Sequence, residues 1–548
     1  MAEPESTKRA EAVTRLWELK RLSDKHTAQG MPFVHFSMLL SDQVYRDGIL
    51  SKAERAHDPA LRSMAAELKS LKLQGRLRDA APTNGAARAS AALSPDGISV
   101  GSGGGGGAGA KDNAKKTSMP WLAGGLLGLA LIAGGAWLWS NSGGPKTITV
   151  EDNILDNTVW KSGNTYVLSK LTFVESNARL TIEPGVTVRG KNGSALIVTR
   201  DASVHARGRV DQPIVFTSAK ALGNRQAGDW GGLVLLGNAP VNRDAHIEGI
   251  DRSDSRGDFG GSDSNSSCGV LDFVRIEFAG FEISKDNELN GLTLGGCGDG
   301  TIVRNVQVHM GLDDGVEVFG GTVDLKNIVV TGADDDAFDW DMGWTGRVQN
   351  LIIQMHPDRG DNGFEGDNYK ADMDAQPRSQ PQFYNVTMIS DPQGQKRHRA
   401  MTVRRGSGGH FHNVLIDGFT TELIDLRDEP VTRLVNDSTL SFASLIVAGT
   451  TPEQAFPQEA GEKDDDGGFV EAAYLDERRL EFVASTGLSE QARDVHEPRF
   501  SPARINYSVK PVPVPQGEFW DESADYFGAV RPGDRRDWSR EWTAFPAN

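Results

Sequence analysis

The sequence predicts an all-β parallel β-helix, a solenoid, preceded by one transmembrane helix and a small α-helical module. Three observations predict it. A run of 21 uncharged residues, Met119–Trp139, divides the chain. The charge divides with it: residues 1–118 carry 18 Lys+Arg against 13 Asp+Glu, and the remaining 430 carry 40 against 62. Beyond the run, two short strand signatures recur in phase every 22–26 residues over most of the stretch.

The expected elements follow in chain order. Residues 1–79 read as a helical module. Ala12, Leu16, Leu19 and Leu22 form an apolar stripe at helical spacing, and Asp58-Pro59 looks like a cap and first turn. The last helix presents Leu61, Met64, Ala65, Leu68 and Leu71 on one side. Residues 80–118 are a Gly/Ala/Ser linker ending in GSGGGGGAGA, with no nucleotide-binding pattern. Residues 119–140 are the membrane helix: the 21 residues Met119–Trp139 at about 1.5 Å each cross the ~30 Å hydrocarbon core. Trp121, Trp137 and Trp139 mark its interfaces, and Lys111, Lys115 and Lys116 put the N-terminal side in the cytoplasm. The ectodomain is then periplasmic or extracellular and the span lies in the inner membrane. Gly124 and Gly128 give the small-xxx-small spacing that allows two spans to pack as a homodimer.

Residues 145–548 form the solenoid, with an irregular extension from about 451. One signature is a small residue followed by apolar–variable–apolar, as in Gly291-Leu-Thr-Leu, Gly315-Val-Glu-Val, Ala337-Phe-Asp-Trp, Gly363-Phe-Glu-Gly and Ala400-Met-Thr-Val. The other begins with Asn305, Asn327, Asn350, Asn385 and Asn413. Two strands per coil, stacked about 4.8 Å apart, explain the phase; Asn and Gly at corners tolerate left-handed backbone angles. The strings GDWGGLVLLGNAPVN (228–242), NGLTLGG (290–296), DDAFDWDMGW (335–344), RRGSGGHFHN (404–413) and FWDESADYFGAV (519–530) resemble a large bacterial family. Its members are right-handed parallel β-helix envelope proteins of unassigned activity, common in Bacteroidetes and other Gram-negative bacteria. The resemblance implies a right-handed fold and an envelope location and carries over no catalytic residues. The N-terminal module and span depart from the family's simple export signal.

Aligned coils place Asp313, Asp335 and Asp361 in one corner column, with Asp314 and Asp336 beside them. Glu317, Asp339 and Glu365 form an outward column, and Val316, Phe338 and Phe364 an inward one. Like charges ~5 Å apart repel by roughly 3 kcal/mol at an effective dielectric constant of 20. Such columns need protons, a counter-charge or solvent. Arg404 and Arg405, on the next strand along, are candidates for the counter-charge. Three readings stay open. The corner acids Asp313, Asp314, Asp335, Asp336 and Asp361 hold Ca²⁺, which takes carboxylate oxygens. Asp336, Asp339, Glu365 and Arg404 catalyse polysaccharide cleavage. Or the acids are solvated turn residues, since Asp-Asp-Gly is good turn chemistry. For ligand contact the expected set is Glu317, Asp339, Glu365, Trp344, Arg404 and Arg405. Trp344, after a glycine turn, is the tryptophan expected to be exposed; Trp340 alternates inward. His410 and His412 share a strand face without a third ligand nearby. Cys268 and Cys297 are the two cysteines, and a disulfide between them is one open alternative in an oxidising compartment.

The acidic balance excludes nucleic acid as a general partner. The favoured expectation is a membrane-anchored protein that binds or scaffolds envelope polysaccharide or a partner protein. The alternatives are a tethered polysaccharide lyase or glycoside hydrolase, or a signal relay to a cytoplasmic protein docked on residues 1–79.

Overall fold

The structure, a computed structural model, describes residues 15–16, 19, 22–23, 43–56, 58–70, 144–284, 287–457, 465–534 and 537–547. The expected span Met119–Trp139 and the linker 80–118 lie outside them. Among the described residues no helix is long and apolar enough to cross a membrane. The chain divides into two compact units, 1–123 and 124–548.

In the first unit, helices Gln43–Ala53 and Pro59–Ser70 bury Ile49, Leu50, Ala53, Leu61, Ala65 and Leu68 in one cluster with Leu16 and Leu19. The second helix starts as its sequence dictates. Asp58 accepts the amide hydrogens of Ala60 and Leu61 at 2.6 and 3.1 Å, satisfying two donors that have no partner within the helix. Leu71 lies outside the described residues.

The second unit is a parallel solenoid. A fifteen-stranded and a nine-stranded sheet run its length, and their pairings are parallel throughout, consistent with a right-handed β-helix. The nine-stranded, short-strand sheet steps from Leu171–Val174 to Ile424–Leu426. Each coil holds three strands, not the two that the spacing suggests. In the early coils the second and third are separate, as in Ser203–Arg207 and Ile214–Ser218. They merge at Gly269–Glu277, whose first half pairs with the former and second half with the latter. From there each long strand bends midway at one left-handed residue: Phe273, Asn305, Asn327, Asn350, Asn385, Asn413 and Ser444, with φ between 51° and 62°. The asparagine signature therefore marks a corner inside a strand. Left-handed backbone costs an L-residue roughly 1–2 kcal/mol, and asparagine offsets it with side-chain hydrogen bonds. Asn327 Nδ2 donates to Asn305 Oδ1 at 3.0 Å, and Asn350 Nδ2 to Asn327 Oδ1 at 2.9 Å.

Alternation fills the interior. Val316, Phe338 and Phe364 are fully buried in register, as expected. Phe383, Phe411 and Phe442 stack at centroid separations of 5.3 and 4.9 Å, and Phe364 meets Phe383 across the interior at 4.6 Å in a tilted contact. Gly366 lies against the Trp340 indole, in space that a Cβ would occupy. The Cys268–Cys297 disulfide is formed and buried, closing the insertion between Gly237 and Gly269. The irregular extension folds back along the outer face of the long sheet. Gln349, Asn385 and Asn413 donate to the carbonyls of Asp521, Ala524 and Val512 at 3.1, 3.1 and 2.8 Å.

Asn327→Ala removes two ladder hydrogen bonds and leaves alanine at φ +58°, so it costs about 2–4 kcal/mol, while Asn327→Gly costs less. Equal losses in a denaturant titration would contradict the corner role.

Candidate functional site

The outward face of the short sheet changes character along the solenoid. Its first coils are apolar: Phe173, Ile197 and Val234, together with Phe319 beyond Glu317 on the same strand, pack with Ile247 and Phe259 of the insertion and with Leu289 of the hairpin that follows it. Register then puts Thr293, Glu317, Asp339, Glu365, Thr402 and Asp425 side by side, one per coil. Glu317, Asp339 and Glu365 are half-buried, not freely solvated. Each occupies a strand centre, and its neighbours across the ladder shield its flanks.

The Asp-Asp pairs split their work. Asp314 and Asp336 are buried, and each gives one oxygen to the coil beside it. Asp314 Oδ1 accepts the Asp336 amide hydrogen at 3.0 Å, and Asp336 Oδ1 accepts the Asn362 amide hydrogen at 2.7 Å. Asn290 continues the row by accepting from the Asp314 amide at 3.2 Å. Asn290 and Asn362 were missed by sequence reasoning; their place one residue before the recurring glycine was the available signal. Asn290 also donates to Glu317.

Carboxylate oxygens gather in three overlapping triads, within each of which they lie no more than 4.8 Å apart: Asp313–Asp314–Asp335, Asp314–Glu317–Asp339 and Asp336–Asp339–Glu365. Asp339 belongs to two of them. Its Oδ1 is buried without a hydrogen-bond partner, as is Oγ1 of Thr293 beside Glu317 in the column. Among the described residues no Lys or Arg forms an ion pair with Asp313, Asp314, Glu317, Asp335, Asp336 or Asp339. Burial, then neighbouring carboxylates, hold Asp314 and Asp339 well above the ordinary carboxylate range. Burial does the same to Glu317 and Asp336.

The next coil is neutralised. Arg404 donates to Glu365 and, at 2.8 Å, to Asp367; Arg405 donates to Asp367 from a left-handed backbone. Arg399 and Arg427 pair with Asp425 at 3.3 and 2.5 Å. On the near rim, Arg243 from the insertion pairs with Asp341 and lies 4.7 Å from the Tyr369 ring centre.

Several expected residues sit elsewhere. Asp361 belongs to none of the triads: its exposed carboxylate pairs with Lys396 at 3.3 Å. Trp344 is not exposed. It is fully buried against Phe338 and Phe383, and its Nε1 donates to the Val323 carbonyl at 3.0 Å, because the glycine turn folds it inward. Trp340 is buried, as its inward alternation implied, and Trp230 is buried too. His410 bonds to Gln380 and Ser441 on the long sheet, away from the triads, and no histidine joins a metal-compatible group among the described residues.

The cluster couples stability to pH. Burial, reinforced by Glu288 and Asp335, pushes Asp313 up to about 8. Burial pushes Glu365 up to about 7 against the opposing Arg404. Both folded values exceed the unfolded ones of ~4, so the folded chain holds protons that the unfolded chain releases. That stabilisation is complete below about pH 4 and is lost as pH rises through 7 to 8. Without divalent cations, Tm at pH 5 exceeds Tm at pH 8, and Asp313→Asn flattens the profile. A Tm that rises over this interval in the wild type would contradict the shifts.

The sequence pattern of the pectate-lyase-like beta helix domain matches residues 152–472, more than half of the chain and nearly all of the coils described above. Neither the curated proteins nor the solved structures contain a match. Parallel sheets, phased coils and the matched span together place this chain in the pectate-lyase-like beta helix domain family.

Proposed function

We propose that the acidic face of the short sheet binds a divalent cation and, with it, an acidic polysaccharide of the cell envelope. The observation that carries this reading is the run of clustered carboxylates from Asp313 to Asp339, none of them in an ion pair with a Lys or Arg among the described residues, in a fold that neutralises the next coil at Glu365 and Asp367. The donor set fits a hard cation such as Ca²⁺, which takes six to eight oxygen ligands. Asp314, Glu317, Asp336, Asp339 and Glu365 would hold it, and the partnerless Asp339 Oδ1 is the oxygen that lacks any other use. Bound there, the cation supplies positive charge that a uronate carboxylate can share. Arg243, Arg404 and Arg405 flank the same face. The family's name, which refers to a lyase of an acidic polysaccharide, agrees with this ligand class.

A second reading is cleavage of the bound polysaccharide. It is favoured by one contact: the Arg404 guanidinium on Glu365, a carboxyl group pushed up to about 7, in the range useful for proton transfer near neutrality.

The test is made on the full chain. Ca²⁺ raises Tm in the wild type. Asp339→Asn raises Tm at pH 8 without Ca²⁺, because it removes from two triads a carboxyl group whose ionisation the fold opposes, and abolishes the Ca²⁺ response. No response at millimolar Ca²⁺ in the wild type overturns the reading. Immobilised polygalacturonate then retains the wild type with Ca²⁺ but not with chelator, and new reducing ends in the eluate distinguish cleavage from binding.

The chain acts, in this reading, as a single-pass protein of the inner membrane, with residues 1–118 in the cytoplasm, free to dock a cytoplasmic protein, and the solenoid in the periplasm. A reporter fused at residue 1 is active only inside the cell; activity outside reverses the topology.

A further inference from the structure

We infer that the N-terminal end of the solenoid is a lipid-contacting surface, and that its first coil rests on the headgroup layer of the bilayer. The inference builds on the proposed span Met119–Trp139.

The two ends of the solenoid differ. The C-terminal end is covered. Helix Glu471–Tyr474 packs on the last short-sheet strand Ile424–Leu426, and the Leu423 amide donates to the Ala455 carbonyl at 2.7 Å. The N-terminal end has no such cover among the described residues. Thr147–Val150 pairs on one side only, with Thr165–Leu168, and Thr158–Trp160 on one side only, with Arg179–Ile182. Unpaired edges of this kind ordinarily invite another chain.

The interior also runs out open. In the inward column Phe216, Val188, Tyr166 and Ile148, exposure is 0%, 0% and 5% and then jumps to 37% at Ile148. Trp160, stacked on Tyr166 at 4.6 Å, is the last side chain closing the core. Leu155 is 69% exposed and Val159 48%. These three account for three of the eight large apolar side chains exposed among the described residues, gathered within twelve positions, while the other five are scattered.

Chain length identifies the occupant. Seven residues separate Trp139 from Thr147. Fully extended they reach about 25 Å, so the first coil cannot leave the vicinity of the membrane surface. A second copy stacked end to end on that edge would have to displace the bilayer from it. The contact is apolar in kind: on the first coil exposed Lys146 and Lys161 are outnumbered by exposed Glu151, Asp152 and Asp156, which leaves no net positive charge for anionic lipid. Apolar tips at the headgroup–acyl boundary need none.

The test uses the full chain in nanodiscs. The native cysteines are consumed in a buried disulfide, so single introduced cysteines take a spin label selectively. Labels go at Leu155→Cys and Val159→Cys on the first coil, at Val470→Cys near the far end, and at Leu127→Cys inside the proposed span. Collision with oxygen is compared with collision with a water-soluble nickel complex. We expect the Leu155 and Val159 labels to show a raised oxygen-to-nickel ratio of interfacial depth in zwitterionic and anionic bilayers alike, and the Val470 label to show the value of bulk water. A Leu127 label in lipid with first-coil labels indistinguishable from Val470 overturns the inference and leaves the anchor standing. A Leu127 label in water overturns both.

Discussion

Parallel in-register stacking is the constraint on which the rest depends. Each coil sets its residues against their equivalents one coil on, so every side chain meets a neighbour of its own column. The fold therefore multiplies whatever its repeat contains. Phenylalanine inside becomes a stack running from Phe383 through Phe411 to Phe442. Asparagine at a corner becomes a ladder of amides, Asn305 to Asn350. Carboxylate outside becomes a row of like charges. The first two outcomes stabilise and the third does not, which is why the acidic row stands apart from everything else in the molecule.

Legibility followed the same division. The inward column Val316–Phe338–Phe364 and the outward column Glu317–Asp339–Glu365 were readable because both sheet period and coil period are written in residue type. The third strand of each coil was not. Its first half precedes the asparagine that marks the second, and a bent strand has no sequence sign at its bend other than that asparagine. Trp344 was misplaced for a related reason. A glycine turn signals a change of direction but not its sense, and here the chain returns inward, to the Val323 carbonyl. The fold-back of the extension onto Gln349, Asn385 and Asn413 was equally invisible, since irregular segments carry no periodicity from which to read a partner. Asp361 shows the limit of column arithmetic: it aligns with Asp313 and Asp335, yet the longer loop after it supplies Lys396 and draws it away.

The insertions explain why the acidic face lies where it does. The one closed by Cys268–Cys297 covers the apolar first coils and brings Arg243 to the near rim. The strand of Thr402 and the coil after it bring Arg399 and Arg427 to Asp425. The unneutralised acids occupy the gap between these two regions, where neither loop supplies a cation.

That gap bears on the choice between turn chemistry and the proposed site. Turn chemistry accounts for one oxygen each of Asp314 and Asp336, which hold the amides of the following coil. It does not account for Glu317 and Asp339, which sit at strand centres and hold no backbone amide. If the column served the fold alone, the cheapest residue there would be threonine, which the same column uses at Thr293 and Thr402. Alternatively the acids would carry an arginine, as Glu365 does. Both solutions exist one or two coils away in the same sheet. Two successive coils that use neither face a repulsion of roughly 3 kcal/mol per adjacent ionised pair at an effective dielectric constant of 20, or must hold protons instead. A cost of that size, carried where the fold has two ready remedies, is what a site for an added positive charge looks like from the protein's side.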